Sequence, residues 1–288
     1  MLSAVLIVGF LILVWTPFGL WKFGKIKPMI NIFLLVGLTF QFLYIAGGGE
    51  IKFLKKWTKG SRFQAEATND QIGDDHIYYI KIKEKVLLDA PIIKQYPELP
   101  RGCEVTSLAM LLQYQGIKTN KMELASKIKK DSTPFRNENG IIYWGSPNNG
   151  FIGDMYSYSN PGYGVYHEPI RELAEEFLPG QIVDLTGRNF AELKTYLSLD
   201  IPIWVITNTT YKKLPNTAFQ TWKTPNGEVR ITFKEHSVLI TGYDEESIYF
   251  NDPITGMKNK VAPLKDFLEA WKQMGSQAIT YLPEQSKK

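Results

Sequence analysis

Gln95-Tyr-Pro-Glu-Leu-Pro-Arg-Gly-Cys103-Glu-Val-Thr-Ser-Leu-Ala-Met-Leu-Leu-Gln-Tyr114 is the stretch on which the reading of this chain turns. A Pro/Gly turn gives way to an apolar helix, and the one cysteine of the chain stands at the join. Pro100 and Gly102 end any earlier helix and let the chain turn sharply into the next one. Val105, Leu108, Ala109, Leu111 and Leu112 then recur at helical spacing as far as Gly116, a fitting stop. The helix is apolar nearly all round, so it belongs at the centre of a domain. The ordinary reading of a lone cysteine is a small buried apolar residue. A thiol in the first turn of a helix, however, lies at the positive end of the dipole beside unpaired N–H groups, which favour thiolate. One cysteine also excludes an internal disulfide and a thiolate metal site, and neither cofactor nor metal is expected.

Outward from this helix the pattern is helices first, strands second. Upstream, Ile77–Ile82 and Lys85–Asp89 have strand composition. Downstream, Asn120 caps a helix reaching about Lys129, Glu168–Phe177 forms another entered through Pro169, and Phe190–Leu199 a fourth. Residues 131–167 are rich in Gly, Asn, Ser, Pro and aromatic side chains; a loop this long in a compact domain is functional or disordered, and the aromatics favour a cleft wall. Pro202–Thr207 reads as a buried strand, followed by Val229–Phe233, His236–Thr241 and Ser247–Asn251 as an antiparallel series. The order predicts an α+β fold, a helical layer packed on an antiparallel sheet.

A thiol nucleophile needs a base for its proton, and that base needs an acceptor to orient it. Of the three histidines, His76 falls in a polar linker and His167 in the aromatic loop, while His236 opens a strand that would hold its ring. It stands 133 residues after Cys103, inside the window of roughly 130–150 residues found in papain-like enzymes. If its strand returns through a tight turn centred on Asp244, Ile240 faces Ile248, Val238 faces Phe250 and His236 faces Asp252. Opposed side chains share a face at about 5 Å between Cβ atoms, close enough for an Asp–His hydrogen bond. This pairing requires a loop with an odd number of residues. Gln95 is the best candidate to join the Cys103 N–H in holding an oxyanion.

The first 62 residues differ from the rest. They hold eight of the 33 basic residues and one of the 29 acidic ones, which leaves 25 basic against 28 acidic beyond them. The positive total therefore argues for a membrane surface and against nucleic-acid binding. Leu2–Trp21 carries no charge and is long enough to cross a bilayer, and Met29–Ala46 is a second, weaker span. Aromatic residues lie near the span ends, as at a membrane interface. The expected organisation is two transmembrane helices in residues 1–47, a basic and polar linker in 48–76, and a soluble domain in 77–288. Lysines in the connecting loop and basic residues after the second span pull in opposite directions on orientation.

The blocks Leu88-Asp-Ala-Pro-Ile-Ile-Lys-Gln95, Leu99-Pro-Arg-Gly-Cys-Glu-Val-Thr-Ser-Leu-Ala-Met110, Trp144-Gly-Ser-Pro-Asn-Asn-Gly-Phe-Ile-Gly-Asp154, His236-Ser-Val-Leu-Ile-Thr-Gly-Tyr-Asp244 and Ile248-Tyr-Phe-Asn-Asp-Pro253 resemble bacterial papain-like cysteine peptidases related to the double-glycine leader peptidases of bacteriocin exporters. The resemblance runs from about Leu87 to Ala278. It implies a papain-like fold with Cys103 as nucleophile, His236 as base, Asp252 as orienter and Gln95 as oxyanion donor, acting on a peptide or protein. The chain departs in having Arg-Gly-Cys-Glu where exporter-linked enzymes have Asp-Cys-Gly, and in lacking an ATP-binding cassette. The expectation is a membrane-anchored cysteine peptidase, held in lipid by its hairpin, with the domain on the outer face. An acyltransferase using the same Cys–His pair and an inactive membrane-tethered binding module are the alternatives.

Overall fold

The computed structural model describes residues 80–282. The expected transmembrane hairpin, the linker and His76 lie outside the described residues. Within them no helix is long and apolar enough to cross a membrane.

The first strand, β1 (Val86–Leu87), is shorter than expected, and Ile80–Ile82 form none. Five helices follow among the described residues: α1 (Cys103–Tyr114), α2 (Lys121–Lys127), α3 (His167–Phe177), α4 (Phe190–Ser198) and α5 (Leu264–Gln273). The starts of α2 and α4 follow from their caps. Asn120 accepts the N–H groups of Met122 and Glu123, and Asn189 accepts that of Glu192, so each side chain satisfies donors the first turn cannot. Helix α1 is buried over its first ten residues, as its apolar surface requires.

Around α1 stands one seven-stranded antiparallel sheet. It comprises β6 (Ile182–Asp184), β7 (Ile203–Asn208), β10 (Glu235–Tyr243), β11 (Ser247–Asp252), β12 (Met257–Pro263) and β13 (Ala278–Tyr281), in the order β12-β11-β10-β7-β13-β6, with β1 on β10. Strand alternation places Glu235, Ser237 and Leu239 on one face of β10, level with Asn208, Ile206 and Trp204 of β7. That face meets α1: the Trp204 indole donates to the Glu104 carbonyl and the Ser107 hydroxyl to the Ser237 carbonyl. Phe250 of β11 and Phe267 of α5 pack ring to ring at 5.3 Å on Tyr211.

Residues 220–231 depart from the expected series. The segment read as Val229–Phe233 is β9 (Gly227–Ile231), and it pairs with β8 (Gln220–Thr224) in a separate four-stranded sheet with β3 (Arg136–Glu138) and β4 (Ile141–Tyr143). The two-stranded pair β2 (Lys130–Asp131) and β5 (Phe151–Ile152) lies beside it in the chain. Part of the aromatic stretch builds a second core here: its Trp144, Tyr163 and Tyr166 form one buried cluster with Ile152, Trp222 and Ile231. Burying these rings stabilises the segment more than leaving them along a wet cleft would. Tyr156 and Tyr158 remain exposed.

The β10–β11 register is the finding that places the site. Between Tyr243 and Ile248, which pair, lie four residues, an even loop held by Asp244 Oδ1, which accepts the N–H groups of Glu246 and Ser247. Left alone, this would carry Asp252 to the wrong face. A bulge between Ile240 and Gly242 restores the parity, and below it Ile240 pairs with Phe250 and Leu239 with Asn251. His236 and Asp252 thus share a face as diagonal neighbours, two positions from the expected direct opposition.

Candidate active site

Three segments deliver the site. Cys103 opens α1 after Gly102, where a Cβ would fall 2.6 Å from that of Leu99, so the turn is packed too tightly for a side chain. His236 is the second residue of β10 and Asp252 the last of β11. The loop carrying Gln95 is pinned to the end of β11. The Gln95 N–H donates to the Pro253 carbonyl at 2.9 Å, and the Asn251 amide donates to the carbonyls of Ala90 and Pro91.

His236 and Asp252 meet. The His236 Nε2 and Asp252 Oδ1 lie 2.9 Å apart with both side chains sealed from solvent. Asp252 also accepts the Ile254 N–H on Oδ1, and on Oδ2 the Tyr211 hydroxyl, the Thr255 hydroxyl and the Lys260 ammonium, each within 3.0 Å. Burial alone would raise its pKa, but the hydrogen bond and charge of His236 with the donors Lys260 and Thr255 outweigh it and hold the carboxyl well below the usual range. A carboxylate held this way fixes the ring, leaving Nδ1 as the atom free for chemistry. That atom is buried and has no hydrogen-bond partner.

The thiol is turned elsewhere. Cys103 Sγ–H donates to Glu104 Oε2 at 3.3 Å and makes no hydrogen bond to His236. Burial, then the charges of Glu104 and Glu235, push the thiol pKa well up, partly countered by the Ser237 N–H. The thiolate expected from the helix dipole is therefore not the resting form, because desolvation and two acids outweigh a half-charge at the helix end. Tyr96 on one side has its hydroxyl raised to about 12, mainly by its hydrogen bond to Tyr158 and by burial, with a smaller contribution from Cys103.

Gln95 is 2% exposed, and its Nε2 donates to the Pro100 carbonyl at 2.9 Å. One amide hydrogen is spent inside the loop, and the second is left for a further acceptor. His167 is not part of the site: it opens α3 and pairs through Nδ1 with Asp184.

Four partners were not legible in the sequence. Glu104 stands in a helix first turn, where an acid is commonplace, and Glu235 stands one residue ahead of the expected His236 strand. Tyr211 and Lys260 reach Asp252 from 41 and 8 residues away, and no local pattern marks either.

A central helix opened by a cysteine and packed on an antiparallel sheet that carries a buried His–Asp pair is the arrangement of a cysteine-peptidase fold. The chain belongs to the Peptidase_C39 like family, whose family model matches residues 87–279. It is 45% identical over 183 residues to the uncharacterized protein YvpB of Bacillus subtilis (strain 168), covering 64% of this chain and 70% of that one. It is also similar to a crystal structure described as a C39-like peptidase from Bacillus anthracis, at 47% identity and a TM-score of 0.66, covering 71% of this chain and all of the other.

Proposed function

We propose that the chain is a cysteine peptidase working through Cys103, His236 and Asp252. The observation that carries this reading is the His236 ring, sealed from solvent and fixed by Asp252 at 2.9 Å, with Nδ1 buried and unpartnered. A buried polar atom left without a partner costs roughly 1–3 kcal/mol, so a group kept in that state calls for a use.

The thiol leaves Glu104, passes its proton to Nδ1, and the sulfur attacks the carbonyl carbon of a peptide bond. The Cys103 N–H and the second Gln95 amide hydrogen hold the oxyanion. Collapse of the tetrahedral adduct breaks the C–N bond, with Nδ1–H protonating the amine, and leaves an acyl-enzyme. Water then attacks, its proton goes to Nδ1, and the C–S bond breaks to restore the thiol. Asp252 holds the ring throughout and balances its positive charge. We extend the proposal to a membrane tether through residues 1–47, with the domain on the outer face; a C-terminal reporter active on one side only tests it.

The chemistry is tested with a peptidyl electrophile that labels nucleophilic cysteines. Cys103 is labelled in the wild type, and His236→Ala slows labelling by on the order of a hundredfold or more. Equal labelling of wild type and His236→Ala sinks the assignment of the base, and no labelling at all sinks the peptidase reading.

A further inference from the structure

The sequence sets an acid next to each of the two reacting residues, Glu104 after the nucleophile and Glu235 before the base, and the fold brings the acids together. One ligating atom each from Cys103, Glu104 and Glu235 lies within 4.8 Å of the other two. Glu104 is fully buried. Its Oε1 accepts the Val165 N–H at 2.8 Å and its Oε2 the thiol at 3.3 Å. Glu235 Oε1 is buried with no partner. The backbone closes over both at Gly164, where a Cβ would stand 2.4 Å from Glu104 Oε1 and 3.1 Å from Glu235 Oε2. A side chain at this position would have to displace the Glu104 carboxylate.

Among the described residues no cation acts on this cluster. From α1 comes the thiol, from the segment before α3 the hydroxyls of Tyr163 and Tyr166, which hydrogen-bond each other, and from β10 Glu235, while its neighbour His236 lies on the other face of the strand, bonded to Asp252. Tyr96 and Tyr211 face the sulfur from their loops. Two carboxylates at this range, one fully buried and one partly so, with no cation acting on either among the described residues, resist ionising together near neutral pH.

We propose that Glu104 and Glu235 form an acid pair that holds one proton between them and positions the Cys103 thiol, Glu104 taking its hydrogen bond at rest and Glu235, by keeping its proton, limiting the pair to a single charge when the sulfur ionises and His236 accepts the thiol proton. The proposal rests on Cys103 being the nucleophile. When the thiol swings from Glu104 to Nδ1, the S–H bond breaks and an N–H bond forms on the ring. The proton of Glu235 then takes the place of the thiol proton at Glu104 Oε2. The sulfur keeps the Ser237 N–H, the one contact that favours its charge. Burial, and the charge of its partner, lift Glu235 well above the usual carboxylate range, while burial lifts Glu104 to about 7. As pH rises past the pair, added negative charge opposes the thiolate; a neutral amide in place of either acid removes that opposition at every pH.

The single cysteine makes the test clean, because alkylation of the full chain by iodoacetamide, followed by intact mass, reports Cys103 alone. The second-order rate is followed from about pH 5 to pH 10 in the wild type, Glu104→Gln and Glu235→Gln. The expected result is a midpoint lower by about one unit in each variant, so that alkylation is roughly tenfold faster below the wild-type midpoint. Glu235→Asp keeps the acid and should keep the high midpoint. An unchanged midpoint in a folded Gln variant overturns the proposal, as does a shift in Glu235→Asp as large as in Glu235→Gln, since loosening and not charge would then be responsible. The wild type gives a reading that needs no variant: its infrared spectrum at neutral pH should retain a protonated carboxyl C=O band after exposed acids have ionised, and absence of that band overturns the pair. Alkylation reads the sulfur whether or not a peptide is cleaved, so failure of the peptidase reading leaves this outcome distinguishable.

Discussion

Asp252 is the residue whose surroundings are most committed to one charge state, with five donors converging on two oxygens. Asn in its place keeps one acceptor oxygen and turns an NH2 group toward donors. Asp252→Asn should therefore cost about 3 kcal/mol at neutral pH, since a buried charged network loses its anion, and lower the rate of Cys103 labelling by on the order of a hundredfold. The pH dependence has a definite sign. A carboxyl whose folded pKa is depressed contributes stability that is complete above its unfolded value of about 3.9 and is lost as pH falls toward the folded value. The stability gap between wild type and Asp252→Asn, measured by urea unfolding, should stay constant above about pH 5 and narrow as pH falls further. A gap independent of pH would contradict the ionised state assigned to Asp252.

The β10–β11 hairpin shows how one irregularity positions chemistry at the scale of an element. Its four-residue loop and its bulge at Thr241 each shift the register, and only together do they return His236 and Asp252 to a common face. Gly242 marks the cost of error: a Cβ there would lie 2.1 Å from the Val86 carbonyl oxygen, against backbone that cannot step aside. Gly242→Ala should destabilise by roughly 1–3 kcal/mol and speed amide exchange at Leu88, whose N–H donates to the Thr241 carbonyl across this contact. Exchange at Ile203–Asn208, on the other side of β10, should change less. At α2, Asn120→Ala removes the acceptor for two amide groups and should lower stability by about 1 kcal/mol, read as a drop in Tm of roughly 2–4 °C.

At the scale of the molecule, the described residues bury apolar surface under α1 and the main sheet and again in the four-stranded sheet around Trp222. The second core bears on the site through Tyr163, which meets the Trp222 ring edge-on at 5.2 Å and directly precedes the Gly164 that covers the acid pair. Trp222→Ala should cost about 3–5 kcal/mol, and in the molecules that remain folded it should speed alkylation of Cys103 by freeing the cover. Stability loss without any change in alkylation would separate this core from the site. In the main sheet β13 lies between β7 and β6, so β7, the neighbour of the His236 strand β10, is braced on its other side.

The sequence by itself determined the elements whose signals are local. These are the buried helix that opens at Cys103, the helix capped by Asn120, the helix from Phe190, the strand that begins beside His236, and the α+β order, because helical spacing, caps and apolar runs act within a few residues. It also brought out His236 and Asp252 as partners, since a register error of two keeps the same face. Only the tertiary structure decided that the loop is even and a bulge corrects it, that Trp144, Tyr163 and Tyr166 of the aromatic stretch join a core while Tyr156 and Tyr158 stay exposed, and that Cys103 rests on an acid instead of its base. Each of these depends on which distant surfaces meet. Burial and charge at a meeting of segments more than a hundred residues apart cannot be read from either segment alone, and they set the ionisation of the thiol against what the dipole of its own helix favours.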